Sequence, residues 1–252
     1  MIRLLILMLA FWGATARAEE IVSGLSQTNV SINANFDGTA ILIYGAAMRD
    51  APPPVWPLLQ VIVTVEGPRV PIVVRQKERV AGIWINRGSV ALEDAPSFYA
   101  VMTSGALDEI LSPEEDQANH ISIPSTIAEV KLGAVAGAVP DYLAALERIR
   151  KAAGTYVRAE NSVLLLQQSL FRTEVALPSN LIDGDYRVRI FLTRGGKIID
   201  MKQSQIQVRK DGLERILFRM AQDQPLLYGL ISLLIAAVAG WGASEAFRRL
   251  RL

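Results

Sequence analysis

The chain has 252 residues, 51% of them hydrophobic, with 26 basic and 25 acidic side chains, one histidine and no cysteine. The missing thiols exclude disulfides, thiolate metal sites and thiol catalysis, and the single histidine, His120, excludes multi-histidine metal sites and leaves any Ser-His-Asp triad to that one residue. Between residues 19 and 224 there are 21 basic and 24 acidic residues, a balance that argues against nucleic acid as a partner.

Residues 1–18 have the layout of a secretory signal peptide: Arg3, an apolar run from Leu4 to Trp12, then Ala16-Arg17-Ala18 as a cleavage site. Residues 19–102 alternate as half-buried strands. Ile21 to Asn33 has period two, Asp37-Gly38 is a turn, and Thr39 to Ala46 is a second, more apolar strand. Arg49 to Pro57 (RDAPPPVWP) carries three successive prolines, which cannot join a sheet ladder, so it is expected as a surface loop. The same prolines beside Trp56 also make it a candidate docking site. Leu59 to Glu66 is rich in β-branched residues and is expected to form a hairpin with Val70 to Glu78 across Gly67-Pro68. Gly82 to Asn86 and Val90 to Glu93 are expected as short strands.

After Pro96 the pattern changes, and residues 103–160 are expected as a helical or irregular insertion. Leu107 to Leu111 suits one helical turn. Ser112-Pro113-Glu114-Glu115 is a helix start, with serine as cap and proline in the first turn. From Asp108 to Glu129 there are six acids and no Lys or Arg, which is expected as a solvated face of short helices. His120 stands in a polar context before a strand-like stretch. Pro140 to Lys151 is a helix with Tyr142, Leu143, Leu146 and Ile149 on one face. Residues 161–210 return to strands: Ser162 to Gln167, Leu170 to Leu177, Tyr186 to Leu192 and Ile198 to Val208, with a hairpin turn at Arg194–Lys197. Pro178 followed by Gly184-Asp185-Tyr186 resembles the turn into a late strand of immunoglobulin-like sandwiches. The fold expected is mainly β: immunoglobulin-like antiparallel sandwich units with a helical insertion. One sandwich and two successive β units are both open, with two units preferred because each run holds its own hairpins.

Residues 211–224 carry the apolar stripe Leu213, Ile216, Leu217 and Met220, which suits a juxtamembrane amphipathic helix. Between Arg187 and Arg219 nine basic residues face three acidic ones, a segment that anionic headgroups or the acids of 108–129 could neutralise. Residues 225–247 are expected to cross a membrane. Leu226 to Ala243 has no charge, Tyr228 and Trp241 lie near opposite interfaces, and Arg248, Arg249 and Arg251 in the tail 248–252 hold that end in the cytoplasm. Ala236, Gly240 and Ser244 put small side chains on one helix face, where another helix can approach closely.

Several blocks taken in order resemble a family of alphaproteobacterial transmembrane proteins with a signal peptide and a single C-terminal span. They are Trp84-Ile85-Asn86, Pro96-Ser97-Phe98-Tyr99, Leu170-Phe171-Arg172 with Leu177-Pro178, Gly184-Asp185-Tyr186-Arg187-Val188, and Tyr228-Gly229 with Gly240-Trp241. The resemblance implies a companion of membrane transport proteins, of the sulfite-exporter kind, and it transfers no functional residue.

No phosphate loop, dinucleotide fingerprint or nucleophile elbow occurs, so neither cofactor nor enzymatic activity is expected. The expected protein is a single-pass protein of a bacterial inner membrane, with a periplasmic N-terminal domain. It would serve as a non-enzymatic accessory subunit, with Ala236, Gly240, Ser244 and Trp56 as candidate partner contacts. The alternative is a periplasmic binding module for a small ligand or envelope polymer, using the proline–tryptophan loop and the acidic segment.

Overall fold

The structure is a computed structural model that describes residues 19–32, 38–50, 52, 54–136, 139–210 and 220–250. The proposed signal peptide, and residues 211–219 of the expected juxtamembrane helix, lie outside the described residues. The first strands in chain order are β1 (Glu20–Leu25), β2 (Asn29–Ile32), β3 (Thr39–Met48), β4 (Leu59–Glu66), β5 (Arg69–Val80), β6 (Ile83–Pro96) and β7 (Tyr99–Thr103). Helices α1 (Leu107–Ile110), α2 (Pro113–Asn119) and α3 (Ile123–Ala128) follow, then β8 (Leu132–Ala136) and α4 (Val139–Ala152). Strands β9 (Tyr156–Ala159), β10 (Leu164–Leu166), β11 (Leu170–Leu177), β12 (Gly184–Arg194) and β13 (Lys197–Lys210) lead to helix α5 (Pro225–Leu250).

Among the described residues the strands form three sheets, ordered β1-β3-β11-β10, β2-β13-β12-β4-β7-β9 and β5-β6-β8. Strands from residues 19–102 and from 161–210 are therefore interleaved. β11 pairs with β3 from Leu170↔Ala46 to Leu177↔Thr39, and β12 pairs with β4 from Arg187↔Glu66 to Arg194↔Leu59. This corrects the preference for two β units: neither run completes a sheet alone, and residues 19–30 and 38–208 make one compact unit. Helix α5 belongs to a second.

Strand β4 explains the layering. Val61, Val63 and Val65 point to one side and Ile62 and Thr64 to the other, yet all are at most 1% exposed. Both faces of the second sheet are covered. Ile62, Val101 and Phe191 join Val90 and Leu92 of the third sheet, the helices around Ile121, and Tyr142 and Leu146 of α4 in one cluster. The opposite side, with Val61, Val63, Val188 and Ile190, is covered by the first sheet. There Asp200 accepts from Ile21 N at 2.8 Å, and Gln168 Oε1 accepts from Leu59 N at 2.9 Å.

Four local expectations are corrected. The hairpin expected between residues 59–66 and 70–78 does not form, because Gly67-Pro68 passes the chain to another sheet and β5 pairs with β6 instead. Arg87-Gly88 is an irregularity within the single strand β6, where the register shifts opposite Gln76/Lys77. The strand-like stretch after His120 is helix α3: Ser122 caps it, accepting from Ser125 N at 3.2 Å, and Ile123 and Ile127 share a buried turn. Ile121 and Ile123 match period two as well as they match a helix start, so the proline after them decides. The insertion also contains strands, since Tyr99–Thr103 pairs in parallel with Tyr156–Ala159 along the edge of the second sheet.

Elsewhere the local signals hold. Ser112 Oγ accepts from Glu115 N at 3.3 Å and starts α2. Helix α4 buries Tyr142 and Leu146, while Ile149 turns outward at 55% exposed. The turn before β12 is tied by Tyr186, whose hydroxyl donates to Ile182 O at 2.9 Å. In α5, the 21 residues Pro225–Glu245 contain an 18-residue window of mean hydropathy 2.0, and none of that window is buried. At about 1.5 Å per residue it covers a hydrocarbon core of about 30 Å.

Candidate functional site: an apolar face across the first sheet

Strand β11 alternates strictly: Phe171, Thr173, Val175 and Leu177 are buried, and Leu170, Arg172, Glu174 and Ala176 point out. The registers align outward residues across the sheet. Val22 stands opposite Ala46, Ala46 opposite Leu170, and Leu170 opposite Leu166. One row thus crosses all four strands without a polar side chain. The next row is Gly24, Tyr44, Arg172 and Leu164. Val22, Tyr44, Leu164, Leu166 and Leu170 are each 45–55% exposed. They surround a groove of about 570 Å³ in which Arg172 is the single charged lining residue.

Two glycines shape it. The Tyr44 ring lies over Gly24, where an added Cβ would meet Tyr44 Oη at 2.8 Å. At Gly45 a Cβ would lie 2.5 Å from Val22 O and 2.6 Å from Phe171 Cζ. Tyr44 is thereby laid flat across β1, and Phe171 closes under β3.

The candidate residues from the sequence do not gather here. Trp56 is 76% exposed in its proline loop, beside the β12–β13 turn, where Arg194 Nη1 donates to Pro57 O at 2.8 Å. Ala236, Gly240 and Ser244 are exposed on α5. His120 is the left-handed C-cap of α2, and its carbonyl accepts from Arg189 Nη2 at 2.9 Å and Thr126 Oγ1 at 3.0 Å. Ser125 Oγ is 3.5 Å from His120 Nδ1 but donates at 3.0 Å to Asp116 O, so its proton is held by a helix carbonyl.

The acids of 108–129 have separate structural partners. Asp116 receives Ser122 N at 2.6 Å, Asp108 pairs with Arg158 at 3.2 Å, and Glu129 pairs with Arg69 at 2.9 Å. The Arg69 hydrogen bond, against a smaller desolvation effect, holds the Glu129 carboxyl below the usual range. Burial works against the Arg69 charge, but its bonds to Glu66 and Glu129 outweigh this and raise its pKa. Three of the later arginines have other partners. Arg187 goes to Glu66, Arg194 to Glu19 at 2.7 Å, and Arg189 to the Asn119 and His120 carbonyls. Arg189 also lies 5.2 Å over the Phe191 ring. Among the described residues no group of three or more His, Cys, Asp or Glu side chains is placed to hold a metal ion.

The apolar face was missed because period two marks a strand without saying what covers each side. A signal did exist: Thr39–Ala46 and Leu164–Leu166 are apolar on both faces, the pattern of strands meant to be covered twice.

Among the described residues a β-rich body with an exposed apolar face is joined by one helix long and apolar enough to cross a bilayer, which fits the class of single-pass membrane proteins with a β domain. Residues 20–249 match the family described as Putative transmembrane protein (Alph_Pro_TM), and the chain belongs to that family. No curated protein sequence matches it.

Proposed function

We propose that the protein is a non-enzymatic accessory subunit of a membrane complex, and that its apolar sheet face binds a partner protein. The chain would be exported by its N-terminal segment and held in the inner membrane by α5. The β body would stand in the periplasm and the arginines after Phe247 in the cytoplasm. The observation that carries this is the row Val22, Ala46, Leu170 and Leu166, apolar across all four strands of the first sheet. A monomer gains nothing from five half-exposed large apolar side chains in one patch; covering each contributes on the order of 1 kcal/mol to association. The small side chains Ala236, Gly240 and Ser244 would extend the contact into the bilayer. By family resemblance the partner is a transporter.

The absence of native cysteine makes the test clean. Single cysteines at Leu166 and at Gly240 are to be crosslinked in native membranes. The expected product is an adduct with a second polypeptide, lost from the Leu166 site in Val22→Glu while the protein remains folded. Recovery of uncrosslinked monomer from both positions overturns the reading.

The concavity of the face favours one second reading. A groove of about 570 Å³ has the size of a small-molecule site. It would take an apolar ligand such as an acyl chain, with Arg172 at the rim for an acidic end. Native mass spectrometry of protein released gently from membranes would then retain a bound mass of a few hundred daltons, removed by Leu170→Asp.

A further inference from the structure

The β5–β6 hairpin outruns every described element that supports it. Among the described residues β8 pairs with β6 between Ser89 and Leu92, Tyr142 Oη of α4 meets Gln76 Oε1 at 3.3 Å, and the groove between α4 and β5 reaches Lys77. Beyond that point, among the described residues, Glu78 to Val80 pair only with Ile83 to Ile85, around a two-residue turn at Ala81 (φ 50°) and Gly82 (φ 88°). No other described strand pairs with either edge there, and a two-stranded ribbon alone is marginal in water.

Its composition is unlike the rest of the body. Ile83 is 65% and Trp84 68% exposed, and Trp84 stands directly opposite Arg79. Arg75, Lys77, Arg79 and Arg87 face one acid, Glu78, whereas residues 19–224 as a whole are slightly acidic. Glu78 pairs with Arg87 at 3.3 Å. Charges on open edges serve to block strand addition, which accounts for the arginines. It does not account for an isoleucine and a tryptophan held in solvent at the very end. An indole beside cationic side chains and a branched aliphatic tip is the chemistry of a bilayer interface: the ring sits at headgroup depth, the aliphatic group goes deeper, and the cations meet lipid phosphates. A chain anchored by one span keeps that surface at high effective concentration.

We infer that the β5–β6 tip is a second membrane contact, inserting Ile83 and Trp84 into the interface of an anionic leaflet on the side of the membrane that holds the β body. The proposal is independent of the partner bound by the first sheet.

The test uses the full chain in vesicles of phosphatidylglycerol and phosphatidylcholine, with a spin label on Ile83→Cys, or on Ile85→Cys as a second position. A label on Asp108→Cys is the exposed reference. Collisions with oxygen and with a water-soluble nickel chelate report depth. The tip label is expected to be open to oxygen and shielded from nickel, while the reference stays open to nickel. Arg79→Gln is expected to lower the ratio of inserted to free tip about fivefold, and raised salt to lower it further. Equal nickel access at both sites overturns the proposal. Shielding in native membranes but not in lipid vesicles also overturns it, since a protein would then cover the tip.

Discussion

The Tyr186 hydroxyl donates to the carbonyl of Ile182, four residues earlier, at 2.9 Å, and the phenol is fully buried. This one bond closes the turn from Pro178 into β12, the strand that pairs with both β4 and β13. Tyr186→Phe keeps the ring and leaves a carbonyl without its donor. A loss of about 1–2 kcal/mol is expected in chemical denaturation, with the midpoint shifted and the slope unchanged.

Burial pushes the Tyr156 and Tyr186 hydroxyls up to about 12, and raises Tyr99 as well, from the ordinary 10.0. A raised folded value favours the protonated form. Stability from these groups is thus complete below pH 10 and is lost as pH rises toward 12. Ultraviolet titration is expected to show Tyr156 and Tyr186 ionising late, together with unfolding. A single transition near pH 10 with the fold intact would contradict it.

Glu66 is nearly buried and accepts from Arg69 Nε at 2.8 Å and from Arg187. Glu66→Ala removes the acceptor and leaves the two guanidinium groups beside each other. Both arginines are partly exposed, so the expected loss is about 2 kcal/mol rather than the larger cost of a fully buried charge. Thermal unfolding of the variant against Arg187→Ala and the double variant measures it, and the two losses are expected to be non-additive.

Glu129, held by Arg69, gives an acid limb. Its folded pKa lies below the ordinary 4.5, so its contribution is present above that value and is lost as pH falls through the folded one. In Arg69→Gln the decline in stability below pH 5 is expected to be shallower than in the parent, read by denaturant midpoints across acid pH.

The two glycines of the apolar face separate a movable neighbour from a fixed one. Gly24→Ala meets only the end of the half-exposed Tyr44 side chain, which can swing away. Gly45→Ala meets the Val22 carbonyl, held by β1–β3 pairing, and the Phe171 ring of β11, held by burial. Gly45→Ala is expected to cost at least about 2 kcal/mol and Gly24→Ala under about 1, by comparison of melting curves.

By itself the sequence determined whatever depends on neighbours along the chain. An uncharged run of membrane length after Pro225, the serine cap and proline that start α2, and the alternation of β11 are each fixed within a few residues. Only the tertiary structure decided which strands meet. Leu59–Glu66 has the same β-branched run whether it pairs with the next segment or, as it does, with β12 and β7, more than thirty positions away on either count from Arg187 or Tyr99. Likewise Leu164, Leu166 and Leu170 carry no local mark that separates them from core leucines. They are exposed because no described layer of the β body lies over that side of the first sheet, and burial is a property of the neighbouring layer rather than of the residue.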